Sequence, residues 1–99
     1  MYKPLPNSVT ISQSSVHGLG LFSKERILKD TNLGLTHIKN EDFEDGYIRT
    51  PLGGFFNHNP RDPNAKVEHI DDKIYLITIK DIDPGEEITV KYTLYDPEL

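Results

Sequence analysis

The chain has 99 residues, no cysteine, and 11 basic against 16 acidic side chains, for a formal net charge of -5. That length supports one domain with a modest core, and the missing thiols exclude a disulfide framework and any thiolate zinc site. The acidic balance, with no basic cluster, argues against nucleic-acid binding and favours either a basic partner or plain solubility.

Val9-Thr10-Ile11 alternates after a proline-rich start and reads as a first short strand. Val16 to Phe22 sets Gly18 and Gly20 between apolar residues, the pattern of a strand broken by a bulge or tight turn. Lys29-Asp30 marks a turn after Ile27-Leu28. Asn32 to Ile38 keeps a two-residue period over its first part and is expected to be another strand. Glu41 to Asp45 is acidic around Phe43, a single helical turn or an irregular loop. Tyr47 to Thr50 is a short strand closed by Pro51.

Leu52 to Phe56 is rich in glycine and aromatics. Pro60 and Pro63 are expected to keep Asn57 to Ala65 out of any regular element. A long irregular stretch from Pro51 to Ala65, stiffened this way, reads as functional rather than disordered. Lys66 to Ile70, the turn Asp71-Asp72-Lys73 and Ile74 to Ile79 make a hairpin. Its second strand is expected to be central, because nearly every residue is apolar or β-branched. Asp81 to Gly85 turns into a last strand, Glu87 to Tyr92, and Tyr95 is expected to pin a short tail. Roughly six to eight short strands and no long helix make the fold mainly β, and a closed barrel is one arrangement the count permits.

Two segments carry most of the chemistry: Gly54 to Ala65, which holds Asn57-His58-Asn59, and Gly85 to Tyr92. Asn57 and His58 serve either as loop clamps or as ligand contacts. Gly18 and Gly20 either permit a bulge or let a ligand approach the backbone. Tyr92 either packs as an aromatic or uses its phenol to orient an amine. Of Glu86 and Glu87, one is expected to face solvent and the other to anchor a basic group. The four histidines lack zinc-ligand spacing, so no metal is expected. Asp81 and Asp83 lack a calcium-loop frame, and Ser12, Ser14 and Ser15 lack a nucleophile elbow.

Taken in order, three segments resemble the SET domain family of protein lysine methyltransferases, most of all its minimal viral or bacterial members. His17-Gly18-Leu19-Gly20-Leu21-Phe22 is similar to the family's N-terminal glycine motif. Phe56 to Ala65 resembles its Asn-His-Ser-x-x-Pro-Asn segment. Gly85 to Tyr92 resembles Gly-Glu-Glu-Leu/Ile-Thr-x-x-Tyr. The likeness runs over residues 9 to 95, so residues 1–99 are expected to form a single minimal SET domain with 93–99 as a short C-terminal tail.

The resemblance implies small curved sheets and a C-terminal pseudoknot in which Asn57 to Asn59 and Glu87 to Tyr92 meet. It implies methyl transfer from S-adenosylmethionine to the side-chain amine of lysine in a basic protein, of histone or histone-like type. By position, Tyr92 would be catalytic. Gly18, Leu19, Gly20, Asn57, His58 and Tyr95 would contact the donor, and Phe55 and Tyr75 would wall the substrate channel. Asn59 departs from the family's serine or cysteine, and Thr36 to Pro51 leaves only a stub of the insert that shapes the peptide groove. That shortness allows a homodimer that completes the groove, or a catalytically inactive SET-like binding module. No apolar run reaches the ~20 residues that span a bilayer, and Met1 to Pro6 does not open a secretion signal. An intracellular location is expected, in the host cell or nucleus if the source is viral.

Overall fold

Short alternating runs separated by turn residues give eight strands and one short helix among residues 5–16, 18–40, 42 and 46–91, those the computed structural model describes. β1 (Val9–Gln13) and β2 (Leu19–Ser23) form an antiparallel hairpin, from Val9 opposite Ser23 to Gln13 opposite Leu19. Gly18 in the connection has φ 47°, where a side chain would be strained. The Ser14 N–H closes the turn by donating to the Gly18 carbonyl at 2.7 Å. The glycine-interrupted stretch is therefore a turn followed by a strand.

β3 (Asn32–Lys39) breaks register twice, between Asn32 and Gly34 and between Leu35 and His37. These irregularities explain why its two-residue period lapses. Thr36 and His37 are buried side by side as a result, with Thr36 Oγ1 donating to the Ile74 carbonyl at 3.0 Å and lying 2.9 Å from His37 Nδ1. β4 (Tyr47–Arg49) pairs with the end of β3.

Helix α1 (Pro51–Phe55) follows at once. Thr50 caps it by accepting from the Gly53 N–H, and Pro51 opens it with a pre-set φ. Gly53 is needed because a Cβ there would stand 2.2 Å from the Thr36 carbonyl oxygen. The stretch from Pro51 to Ala65, expected to be irregular, thus opens with a helix and, after Phe56, holds a strand. Asn57 and His58 form β5 (Asn57–His58), pairing in parallel with β8 (Glu87–Val90). Pro60 and Pro63 lie after them in the chain, so nothing removes the N–H groups of β5.

β6 (Ala65–Ile70) and β7 (Lys73–Thr78) make the expected hairpin, and β7 is central between β6 and β3. The strand order is β1-β2-β8-β6-β7-β3-β4, with β5 beside β8. This path is open: among the described residues its ends, β1 and β4, do not pair, and the closed-barrel arrangement is not adopted. β8 is the junction. It runs antiparallel to β2 and parallel to β5 and β6. One apolar core ties the pieces together, with Leu21, Leu52, Phe56, Leu76, Ile82, Ile88 and Val90 at its centre.

Candidate active site

An open cleft of about 540 Å³ lies between two walls. One is the β1–β2 connection, with Val16, Gly18 and Leu19; the other is the end of α1 and β5, with Gly54, Phe55, Phe56, Asn57 and His58. The volume falls in the range of small-molecule sites. Its chemistry is mixed. Val16, Leu19 and the two phenylalanines supply apolar surface, and Val16 and Leu19 are each 52% exposed. Asn57 and His58 supply polar groups. Nothing lies within 4 Å of where a Gly18 Cβ would be, so this wall offers bare backbone to open space.

Five residues named from the sequence as donor or channel contacts thus share one cleft: Gly18, Leu19, Phe55, Asn57 and His58. Gly20 does not line it. Gly20 is buried on β2, where a Cβ would stand 2.3 Å from Glu87 Oε2 and 3.0 Å from Asn57 Nδ2. Tyr75 lies on β7 opposite Leu35 and Glu68, outside the cleft lining. Tyr92 and Tyr95 lie outside the described residues, as do His17 and Phe43.

Behind the cleft sits a polar cluster that joins Asn57 and Glu87 to Ser14, a combination the sequence did not single out. Glu87, half-buried on β8, accepts from Ser14 Oγ at 2.7 and 2.8 Å and from Asn57 Nδ2 at 2.7 Å. Asn57 Nδ2 also lies 3.2 Å from the Leu19 carbonyl and 3.2 Å from Ser14 Oγ, which in turn accepts from the Val16 N–H at 2.9 Å. Of the two adjacent glutamates, Glu87 turns inward, to the neutral Ser14 and Asn57 where a basic group was expected, while Glu86 is exposed and accepts from the Asp83 N–H at 3.1 Å. Strand alternation signalled that split. No local signal tied Ser14 to a residue 73 positions away.

The loop after β5 is held by side chains as well. Asn59 Oδ1 accepts from the N–H groups of Arg61 and Asp62 at 3.2 and 3.1 Å, and the Asn59 N–H donates to the Val90 carbonyl at 2.8 Å. Asparagine at this position shapes the turn toward Pro63. Buried Asn64 donates from Nδ2 to the Glu87 carbonyl at 2.8 Å and accepts at Oδ1 from the Thr89 N–H at 2.9 Å. The two motif segments therefore meet side by side, with Asn57 opposite Thr89 and His58 opposite Val90.

The SET domain model matches residues 35–93, and the chain belongs to that family. A Plasmodium falciparum protein described as a "putative histone methyltransferase" superposes with a TM-score of 0.71 at 23% identity, covering 95% of this chain and 99% of its own. The methyltransferase domain of human PR domain-containing protein 2 gives 0.70 at 22% identity, covering 96% of this chain and 84% of its own. The SET domain of the RIZ1 tumour suppressor gives 0.69 at 23%, covering 95% and 74%. At such identities these likenesses speak for the fold. No curated protein matches the chain in sequence.

Proposed function

We propose that the chain is an S-adenosylmethionine-dependent methyltransferase acting on the side-chain amine of lysine in a basic protein of histone type. The observation that carries this reading is the parallel pairing of β5 with β8. It sets the Asn57-His58 motif against the Gly85 to Lys91 segment at a cleft whose other wall is the Gly18-Leu19 turn. Family membership and the fold shared with structures described as methyltransferases agree with it. The net charge of -5 suits a basic substrate by steering.

The residues present fit the donor. Apolar Val16, Leu19 and Phe56 can cover a nucleoside, and Asn57, His58 and the backbone at Gly18 and Leu19 can meet its polar groups. When bound, S-adenosylmethionine supplies an electrophilic methyl on a sulfonium centre. The protein's tasks are then alignment and electrostatic fit. A lysine amine, with an ordinary pKa of about 10.4, must be neutral to accept a methyl group. A narrow wall such as Phe55 favours the neutral form by excluding water. Tyr92 is assigned the role of orienting that amine through its hydroxyl. In the chain it follows Val90, the partner of His58, by two positions. Tyr95 is assigned to the donor side.

Further parts of the reading rest on the same resemblance. The β5–β8 contact supports a C-terminal pseudoknot. Residues 1–99 are read as one minimal SET domain, and the short stretch at 36–51 supports grouping it with compact viral or bacterial members. The same shortness supports a homodimer whose second copy completes the peptide groove. A place inside the cell, in the nucleus if the substrate is chromosomal, follows from that substrate class. The rival reading, an inactive binding module, draws on the short insert.

Purified protein, radiolabelled donor and a panel of lysine-rich proteins decide between them. Transfer to lysine supports the enzyme; specific partner binding with no donor affinity and no transfer supports the module. Tyr92→Phe should lower turnover by about a hundredfold or more while donor affinity persists. Wild-type turnover in that variant would remove Tyr92 from the mechanism.

A further inference from the structure

The Glu87 carboxylate occupies the seam where the two walls of the cleft come together. Three separate chain regions converge on it. Ser14, at the foot of the β1–β2 turn, donates its single hydroxyl proton to the carboxylate and accepts from the Val16 N–H, with Asn57 Nδ2 3.2 Å from its oxygen. Asn57, from the opposite wall, donates to Glu87 Oε2 and reaches the Leu19 carbonyl. A carboxylate and a carbonyl only accept, so the Asn57 amide is fixed with its nitrogen toward them. Glycine at position 20 is what leaves room: the atom nearest to a Cβ there is Glu87 Oε2, at 2.3 Å.

We propose that Ser14 and Glu87 are positioning residues for the methyl donor, forming with Gly20 a clamp that sets the Asn57 amide and holds the Val16–Leu19 turn at a fixed distance from β5. The proposal rests on the methyltransferase reading of the cleft. It gives Gly20 a role different from ligand approach, that of admitting a carboxylate. It also sets this cluster apart from Phe55 on the lysine side, because its links run to Val16, Leu19 and Asn57, the residues read as facing the donor. Loss of the clamp should therefore raise the donor's Kd and KM and leave the KM for the lysine substrate unmoved.

Two substitutions attack the clamp by different routes. Ser14→Ala removes the hydroxyl that bridges the turn and the carboxylate. Gly20→Ala leaves Ser14, Asn57 and Glu87 unchanged but displaces the carboxylate. The clash is with the far end of a flexible side chain, so the strand can stay while the clamp opens. Calorimetric titration of S-adenosylmethionine into each protein, at a temperature where circular dichroism shows it folded, provides the readout. Each variant should bind about tenfold more weakly, the scale of one charge-assisted hydrogen bond. Ser14→Thr, which keeps the hydroxyl, should restore affinity. The double variant should lose less than the product of the two single losses, because both open one device.

Folded Ser14→Ala and Gly20→Ala that bind like wild type overturn the clamp, and so do losses that multiply as if independent. If Gly20→Ala does not fold, Ser14→Ala with its threonine rescue decides alone. Absence of donor binding by the wild-type protein overturns the methyltransferase reading itself, an outcome distinct from intact binding that ignores the clamp.

Discussion

Replacing Asn64 with alanine removes both side-chain hydrogen bonds that tie the loop after β5 to the strand beneath the cleft. The Glu87 carbonyl loses a donor at 2.8 Å and the Thr89 N–H loses an acceptor at 2.9 Å. Both residues flank Ile88, which is fully buried, and Thr89 is itself 5% exposed, so solvent does not freely replace the lost partners. The backbone bonds of Asn64, from its N–H to the Thr89 carbonyl and to its carbonyl from the Ile79 N–H, survive the truncation. A stranded buried group costs about 1–3 kcal/mol, and a water entering the vacated space recovers part of that for two groups so close together. The expected loss is about 2–3 kcal/mol. Against a total stability of about 5–15 kcal/mol, that is large, and it lowers Tm by roughly 10–20 °C in a domain this small. Urea unfolding followed by circular dichroism should show a lower midpoint at unchanged m. Asn64→Asp is the control. It keeps an acceptor for Thr89 but turns an oxygen toward the Glu87 carbonyl, so it should destabilise at least as much. An Asn64→Ala protein within about 0.5 kcal/mol of wild type would show that the loop is not held through this side chain.

Other substitutions test the packing around the site. Gly53→Ala gains helix propensity worth about 1 kcal/mol, yet its Cβ would meet backbone atoms of Thr36 at 2.2 and 2.8 Å that cannot rotate aside. Overpacking should win, for a net loss of about 1–3 kcal/mol in the same urea assay, and a stabilised variant would refute the close α1–β3 approach. Leu76→Ala, at a fully buried position on the central strand, should cost about 2–5 kcal/mol by chemical denaturation. Arg26→Ala breaks contacts to Asp81 and Asp83 at 3.1 and 2.9 Å, but the guanidinium side chain is 56% exposed. Its effect should stay below about 1 kcal/mol and fade further with added salt.

Local pattern made one hairpin legible. β6 and β7 are joined by a short turn whose residues announce it, and the apolar run from Ile74 onward correctly placed β7 inside the sheet. The pairing of β1 with β2 was not read from the sequence. Non-local pairing was not legible. Nothing in Asn57-His58 states that it lies parallel to Thr89-Val90, because that contact is decided by how the whole path closes around β8. The meeting of the two motifs came from the family resemblance, and the prolines in the same loop pointed away from a strand. Helix α1 had a signal, Thr50 before Pro51, that reads equally as the end of a strand. In the site, Gly18 and Gly20 looked alike in sequence. Their backbones and neighbours differ: one turns the chain beside open space, the other makes way for Glu87. Ser14 was legible only as a serine without a nucleophile's frame.

The cleft is built from segments that meet only when the sheet is complete. Ser14 and Asn57 are 43 positions apart, Asn57 and Glu87 are 30 apart, and Ser14 and Glu87 are 73 apart. Closing such loops costs entropy before any of these bonds can form, so no isolated hairpin can hold the site, and global stability and site geometry arise together. They need not fail together. Asn64 and Gly53 act on the joins between elements, whereas Ser14 and Gly20 act on one carboxylate at a seam already closed by the core. The first pair should shift the unfolding midpoint and leave the affinity of the folded fraction nearly intact. The second pair should shift donor affinity with a smaller effect on the midpoint. Affinity that followed stability across all four variants would mean that the cleft has no organiser beyond the fold.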